Sequence, residues 1–247
     1  MKKIRNIFKV ALAFLLILIF GAVGAILRVI SFGALTNFNR TVWIPLFCKV
    51  SLFCMGIRVK NNVHWTATNQ AHFITFNHNS YLDGFVLMSL GIPNIRILMS
   101  ERMLIFLPVW LISFSIGLLY IPVKEQAKRR LNFFYKLEKI IFKERIHILG
   151  SSEGVHVYSQ KIAPFNRGVY HMALNCQMPI LPLFIYTPEE SNPYANFRPF
   201  KRGTVVIESM DPIDTGHWKL DDLDQHVAEV RAKYVQRFNE YYQVHTE

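Results

Sequence analysis

The sequence predicts an α/β fold: a mixed, mostly parallel sheet flanked by helices, with an N-terminal membrane-associated helical segment. Three observations predict it. From about residue 60 short strand-like runs alternate with helical patterns, the signature of strands joined by crossover helices. The length of 247 residues suits one such domain with room for an extra element, and hardly two domains. Hydrophobic residues make up 51% and charged residues 18%, which excludes disordered, collagen-like and coiled-coil chains. The expected division is residues 1–60 as anchor and interfacial helix, and 61–247 as the αβ domain.

Taken in order, Val10 to Leu27 is a stretch without a charge. As a helix it would be about 27 Å long, close to the ~30 Å hydrocarbon core. Lys9 and Arg28 stand at its ends, where such side chains can snorkel. A cleaved signal peptide is the rival reading, but the run exceeds an h-region of ~7–15 residues and no polar cleavage segment follows. Thr41 to Ile57 is a second apolar segment, broken by Pro45 and Lys49. A central lysine disfavours a span, which leaves a helix in the interface or a core helix of the αβ domain.

Phe73 to Phe76 reads as a short strand ending at Asn77, and Asp83 to Leu90 as a helix stopped by Gly91 and Pro93. Leu118 to Val123 is the next strand. Glu125 to Arg145 is amphipathic, with Leu131, Phe134, Leu137 and Ile141 at steps of three and four. His147 to Leu149, Ile180 to Tyr186 and Val205 to Ser209 are strand-like. Asp221 to Tyr242 is the last helix, with Leu223, Val227, Val230, Tyr234 and Phe238 on its buried face.

The net charge of +11 is uneven. Residues 1–82 carry nine Lys/Arg and no acid, whereas residues 208–247 carry four bases against nine acids. No RNP-like, helix-turn-helix or zinc-finger pattern accompanies the basic front, so anionic lipid head groups or phosphorylated substrates explain it better than nucleic acid. The three cysteines, Cys48, Cys54 and Cys176, have no metal spacing and no disulfide framework.

The chemistry candidate is His78-Asn79-Ser80-Tyr81-Leu82-Asp83. A histidine at a strand end and an aspartate at the start of the next helix can meet across the turn. The carboxylate then fixes the imidazole tautomer and stabilises its protonated form. A substrate hydroxyl can take the place of a serine nucleophile. Spacing alone is weak, since about 0.2 such pairs arise by chance and His217 to Asp222 is a second one. That copy sits in a polar turn before the last helix and reads as a solvated loop histidine. For His78, a core histidine with Asp83 capping the helix fits the spacing equally well.

Further blocks follow in order: Gly117-Leu-Leu-Tyr-Ile121-Pro-Val123-Lys124, Ser151-Ser152-Glu153-Gly154, Pro164-Phe165-Asn166-Arg167-Gly168 and Pro179-Ile180-Leu181-Pro182. With Asn77, His78 and Asp83 they resemble the glycerolipid acyltransferase family typified by the bacterial 1-acylglycerol-3-phosphate acyltransferases. The resemblance covers residues 70–185. It implies transfer of an acyl chain from acyl-CoA or an acyl-carrier protein to a lipid hydroxyl, most simply that of 1-acylglycerol-3-phosphate. The implied general base is His78, oriented by Asp83, and the implied substrate-binding residues are Asn77, Ser80, Lys124, Glu153, Gly154, His156 and Arg167. No cofactor or metal is implied. The implied partners are membrane lipids and the acyl donor, at a membrane with the catalytic face cytosolic (the inner membrane in a bacterium).

The chain departs from that pattern at basic positions. Val123 stands where the second block has arginine, with Lys124 one place late, and Val155 and His156 stand where the third has Thr-Arg. Lysine and histidine cannot reproduce the two parallel hydrogen bonds of a guanidinium to phosphate. Lys124, Lys128, Arg129, Arg130 and Arg167 are candidates to compensate. A lipid acceptor without phosphate, or an inactive lipid or acyl-carrier binder, are the alternatives this raises.

Overall fold

The computed structural model describes residues 2–64, 70–154, 161–192 and 201–246. Its seven strands are β1 (Ile57–Asn62), β2 (Phe73–Phe76), β3 (Ile95–Ser100), β4 (Leu119–Ile121), β5 (His147–Ser151), β6 (Ile180–Tyr186) and β7 (Gly203–Ser209). They form one sheet in the order β1-β7-β6-β2-β5-β3-β4. Every neighbouring pair is parallel except β6 with β7, so β7 and β1 run against the other five. The α/β, mostly parallel, mixed sheet is what the alternation of elements predicts.

The helices are α1 (Lys2–Ile30), α2 (Thr36–Phe38), α3 (Ile44–Met55), α4 (Leu82–Ser89), α5 (Leu107–Ile116), α6 (Ala127–Glu144), α7 (Arg167–Asn175) and α8 (Leu223–Thr246). Helices cover both faces of the central strands, which therefore read as continuous apolar runs. Alternate residues of each strand serve opposite cores. Phe73, Ile148, Ile180 and Phe184 pack with Leu137, Tyr170, Tyr234 and Phe238 of α6, α7 and α8. Ile74, Leu149, Leu181 and Ile185 pack with Leu52, Leu82, Val86 and Leu87 of α3 and α4.

All five apolar positions read on the last helix, Leu223 to Phe238, are buried. The stripe on α6 is narrower than its spacing suggests: Leu137 and Ile141 are buried, but Leu131 is 70% exposed. Leu131 lies in the first turns of α6, ahead of the part that packs on the sheet. β1, β3, α5 and α7 carry no clear period in the sequence. α5 in particular is apolar nearly all round, so no single stripe announces it.

The N-terminal segment is built into the fold. α1 runs along α5 so closely that a Cβ at Gly24 would lie 2.9 Å from Ser115 Cβ, and one at Gly21 2.9 Å from Leu111 Cβ. Buried Asn39 donates to the carbonyls of Gly24 (2.9 Å) and Ser115 (3.0 Å), pinning the two helices to the turn that joins α1 and α3. Trp43 donates to Phe20 O at 2.9 Å. Arg28 does not snorkel outward. It donates to Phe114 O and lies over the Phe114 ring, 4.8 Å from its centroid. Arg40 donates to Ile116 O, so two guanidiniums meet the negative C-terminal end of α5. Burial and the neighbouring Arg96 and Arg28 lower the Arg40 pKa to about 10.

Among the described residues no helix is long and apolar enough to cross a membrane. The side chains of residues 2–10 and of Ala13, where the expected span begins, lie outside the described residues. α3 is a core helix through Ile44, Phe47, Cys48, Leu52 and Met55, and it leaves Leu46 and Phe53 exposed on its other side.

Candidate active site

The site forms where β2, β5 and β6 end, the edge at which open α/β sheets place ligands. Register brings the pieces together. Phe76 pairs with Ser151 on one side and Leu183 on the other, so residues 77–83 and 151–154 emerge as neighbours. Ser152 N donates to Phe76 O at 3.0 Å across this end.

Asn77 is the first residue beyond β2, and its side chain continues the ladder that the backbone has left. Its Nδ2 donates to Ile185 O and its Oδ1 accepts from Ile185 N, both at 2.8 Å. Fully buried, it fixes the turn from below rather than facing a substrate. Ser80 is likewise buried and internal. Its hydroxyl donates to Asn192 Oδ1 (3.2 Å) and accepts from Leu82 N (3.1 Å) at the start of α4.

The turn between Asn77 and α4 folds His78 back onto Asp83. Nδ1 of His78 lies 2.9 Å from Asp83 Oδ2, which also accepts from Ser80 N at 2.9 Å. Asp83 is fully buried whereas the His78 side chain is 26% exposed. The pair therefore has an anchored, water-excluded acid behind a ring that can meet a substrate. A proton held on Nδ1 by the carboxylate places the basic lone pair on Nε2. In this geometry Asp83 holds the histidine, and it is Ser80 Oγ that accepts from Leu82 N at the first turn of α4. His217 lies apart, exposed in its turn, with Asp214 rather than Asp222 as its neighbour at 3.6 Å.

Glu153 braces the histidine from the other side. Its Oε1 accepts from His78 N at 3.0 Å and its Oε2 from Ala163 N at 3.3 Å. Burial pushes its carboxyl pKa up, partly offset by these two N–H groups. The glutamate thus sets the backbone that carries the histidine. Gly154 follows at φ +72°, and a Cβ there would come within 2.5 Å of Asn166 Nδ2, so only glycine fits. Asn166 caps α7, accepting from Gly168 N, and its own N–H donates to Ser152 O at 2.6 Å. Tyr170 donates to Ser152 Oγ at 2.9 Å beneath the same turn.

Beside this turn opens a cavity of about 380 Å³. Its floor is apolar, from Phe73, Leu98, Phe134, Val169 and Met172, and Ser151, Glu153 and Gly154 form the wall shared with the His78 turn. Arg102, Lys124 and Arg130 line it as well. Of these, Arg102 pairs with Glu125 at 3.0 Å, and Arg130 donates to Pro122 O at 2.9 Å. Lys124 is exposed.

The other cations lie elsewhere. Arg129 pairs with Glu101 at 3.0 Å. Arg167, expected at the substrate, instead pairs with Asp224 (3.1 Å) and donates to Leu220 O (3.4 Å), tying the start of α7 to the turn before α8. His156 lies outside the described residues. Arg102 is the lining residue that the sequence reading missed, because no local spacing relates residue 102 to residues 151–154. Among the described residues no three His, Cys, Asp or Glu side chains form a metal cluster.

Comparison with known proteins places the chain and its fold. The chain is 25% identical over 217 residues to the human 1-acyl-sn-glycerol-3-phosphate acyltransferase beta, a match covering 87% of this chain and 77% of that protein. It is 25% identical over 170 residues to the 1-acyl-sn-glycerol-3-phosphate acyltransferase of Cocos nucifera, covering 66% of this chain but only 53% of the plant protein. The chain thus matches little more than half the length of some of these relatives. The fold superposes on the crystal structure of the 1-acyl-sn-glycerophosphate (LPA) acyltransferase PlsC from Thermotoga maritima. The TM-score is 0.63 at 17% identity, covering 97% of this chain and 98% of that one. The Acyltransferase family is matched over residues 56–186, a stretch that runs from the start of β1 to the end of β6 and includes His78, Asp83 and Glu153, and the chain belongs to that family.

Proposed function

We propose that the protein transfers an acyl chain from an acyl thioester, acyl-CoA or acyl-carrier protein, to the free hydroxyl of 1-acylglycerol-3-phosphate, giving phosphatidic acid. The observation that carries this is the His78–Asp83 pair at 2.9 Å, its ring about a quarter exposed beside a cavity with an apolar floor and cationic residues in its lining. His78 Nε2 takes the proton of the acceptor hydroxyl as its oxygen attacks the thioester carbonyl. The tetrahedral intermediate expels the thiolate, and the imidazolium returns the proton to the sulfur. No acyl-enzyme forms. Asp83 stabilises the imidazolium, Glu153 holds the backbone beneath it, and general-base help of this kind supplies about 10²–10⁴-fold. Positioning both lipids supplies much of the rest.

The apolar cavity floor suits an acyl chain, and Lys124 with Arg102 and Arg130 suits an anionic head group in place of the missing arginine. The exposed apolar residues of α1 (Phe14, Leu15, Ile19) and α3 (Leu46, Phe53) suit attachment to one leaflet, with the catalytic face cytosolic. A second reading, an acceptor without phosphate, is favoured by one observation: Arg102 and Arg130 already have partners in Glu125 and Pro122 O.

The test incubates purified protein and His78→Ala with labelled acyl-CoA or acyl-carrier protein and a panel of lysolipids. Product formation by wild type and none by His78→Ala is expected. Turnover by His78→Ala would end the mechanism. Phosphatidic acid as the main product, lost with Lys124→Ala, supports the phosphate acceptor, and a neutral or amino-lipid product supports the second reading. Donor binding without turnover on every acceptor would leave the chain as a binder.

A further inference from the structure

Four consecutive apolar residues, Leu104, Ile105, Phe106 and Leu107, are exposed on the turn that enters α5, and Trp110 follows one turn later. Ile105 is 85% exposed and Phe106 and Leu107 are both above half. Single exposed apolar residues are ordinary on a soluble surface, but a contiguous run marks an interaction site. The turn is also built rather than frayed. Ser100 caps its first residues, accepting from Arg102 N, Phe106 N donates to Met103 O at 3.2 Å, and Trp110 N donates to Phe106 O at 2.9 Å. Ordered backbone therefore holds these side chains out in water.

Its place in the fold says what it meets. Gly21 of α1 packs at Leu111 and Ile112 of α5, and Gly24 at Ser115, so the two helices run in the same direction. Stepping back four residues along each, to the first residue of α5, brings Leu107 level with Ile17, beside which α1 exposes Phe14, Leu15 and Ile19. The apolar turn thus continues the apolar surface of α1. Its charge environment is basic. From residue 101, where the turn begins, to residue 130 the chain carries five bases (Arg102, Lys124, Lys128, Arg129, Arg130) and two acids, Glu101 and Glu125, and the pairing of Ser100 with Ile121 brings the 121–130 stretch to this side. Both acids are held in ion pairs, with Arg129 and Arg102 respectively. Arg102 belongs to the apolar turn and also lines the cavity.

We infer that the Leu104–Leu107 turn is a second membrane-docking element, contributed by the αβ domain, which inserts into the head-group region of an anionic bilayer. Insertion sets the Arg102 side of the cavity against the leaflet, so an anionic lipid enters head-first past cations without crossing water. This rests on the lipid-acceptor reading above and adds to it the surface through which the lipid arrives. Apolar side chains supply the depth of insertion and the flanking cations the preference for anionic lipid.

The test uses the full chain with the exposed Cys54 changed to serine, leaving only buried Cys48 and Cys176. An environment-sensitive fluorophore is placed on Ile105→Cys or, as a control, on Phe142→Cys, an exposed site towards the far end of α6. Vesicles of phosphatidylcholine with and without phosphatidylglycerol carry a quencher in their acyl chains. The expected result is a blue shift and strong quenching at 105, little of either at 142, and a dependence on phosphatidylglycerol. The Ile105→Glu/Phe106→Glu double variant should partition roughly tenfold or more weakly, and Phe142→Glu should partition as wild type does. Vesicle binding with the 105 label still in water would overturn the inference and leave the acyltransfer reading standing. Concentration-dependent shielding of 105 without vesicles would overturn it in favour of a second copy of the chain. No vesicle binding at all would overturn both the inference and membrane attachment, while the His78→Ala assay reports on the chemistry separately.

Discussion

Replacing Asp83 by asparagine removes the charge behind His78 with almost no change of volume. In the transition state the imidazole is positive and its Nδ1 lies 2.9 Å from Asp83 Oδ2. At that separation, with an effective dielectric constant of about 20, the attraction is roughly 5–6 kcal/mol. Solvent weakens it, because the histidine side chain is 26% exposed, and a net effect of ~4 kcal/mol is reasonable. That corresponds to about a 10³-fold fall in kcat. Oδ2 also accepts from Ser80 N, so an asparagine oxygen can serve both donors only in one orientation. The other would set an NH₂ group against both donors, turn the ring and add to the loss.

The assay measures kcat and KM for Asp83→Asn with labelled acyl donor and 1-acylglycerol-3-phosphate, beside a thermal melt. The expected result is kcat down by about three decades, KM little changed because the acid touches neither lipid, and a fold that persists with a loss of about 1–3 kcal/mol. A folded Asp83→Asn protein that keeps more than about a tenth of wild-type kcat would refute the role given to the carboxylate.

Glu153→Gln offers one oxygen where two backbone N–H groups need acceptors, so kcat should fall at least about tenfold although the residue is not the base. Equal activity in steady-state assays would show that the brace is dispensable. Gly24→Val puts branched carbon where even a Cβ lies 2.9 Å from Ser115. It should lift α1 from α5 and cost about 1–3 kcal/mol, read by chemical denaturation against a neutral Val23→Ala. His72 N donates to His147 Nδ1 at 3.1 Å, and burial holds both rings below their ordinary pKa of 6.5. The unfolded chain therefore binds more protons below about pH 6.5, and stability should fall as pH drops through that range. Melts at pH 7.5 and 5.5 should diverge in wild type and less so in His147→Asn.

Much of this molecule is local and could be read along the chain. β2, β6 and α8 were legible because each buries residues at a single period: consecutive residues in strands covered on both faces, and steps of three and four on α8. The His78–Asp83 contact was within reach because five residues separate its partners, about the span of one turn. Gly154 could be marked as a turn residue, though not as the one position where a Cβ would strike Asn166.

The rest depended on residues distant in sequence. Glu153 was expected to shape the acceptor pocket, and it does line the cavity, but no spacing announced that parallel pairing of β2 and β5 also sets it against the His78 backbone, 75 residues away in the chain. Asn77 belongs to Ile185 and Arg167 to Asp224, partners that no spacing announces. The fate of α1 turned on two glycines whose bare faces let it lie on α5, and of the described basic residues weighed for the acceptor Lys124 and Arg130 line the cavity, joined by the unforeseen Arg102. Composition and period determine which segments bury and in what form, because burial is a property of each segment's own side chains. Which segments touch is decided by strand order and register, and those exist only in the assembled sheet.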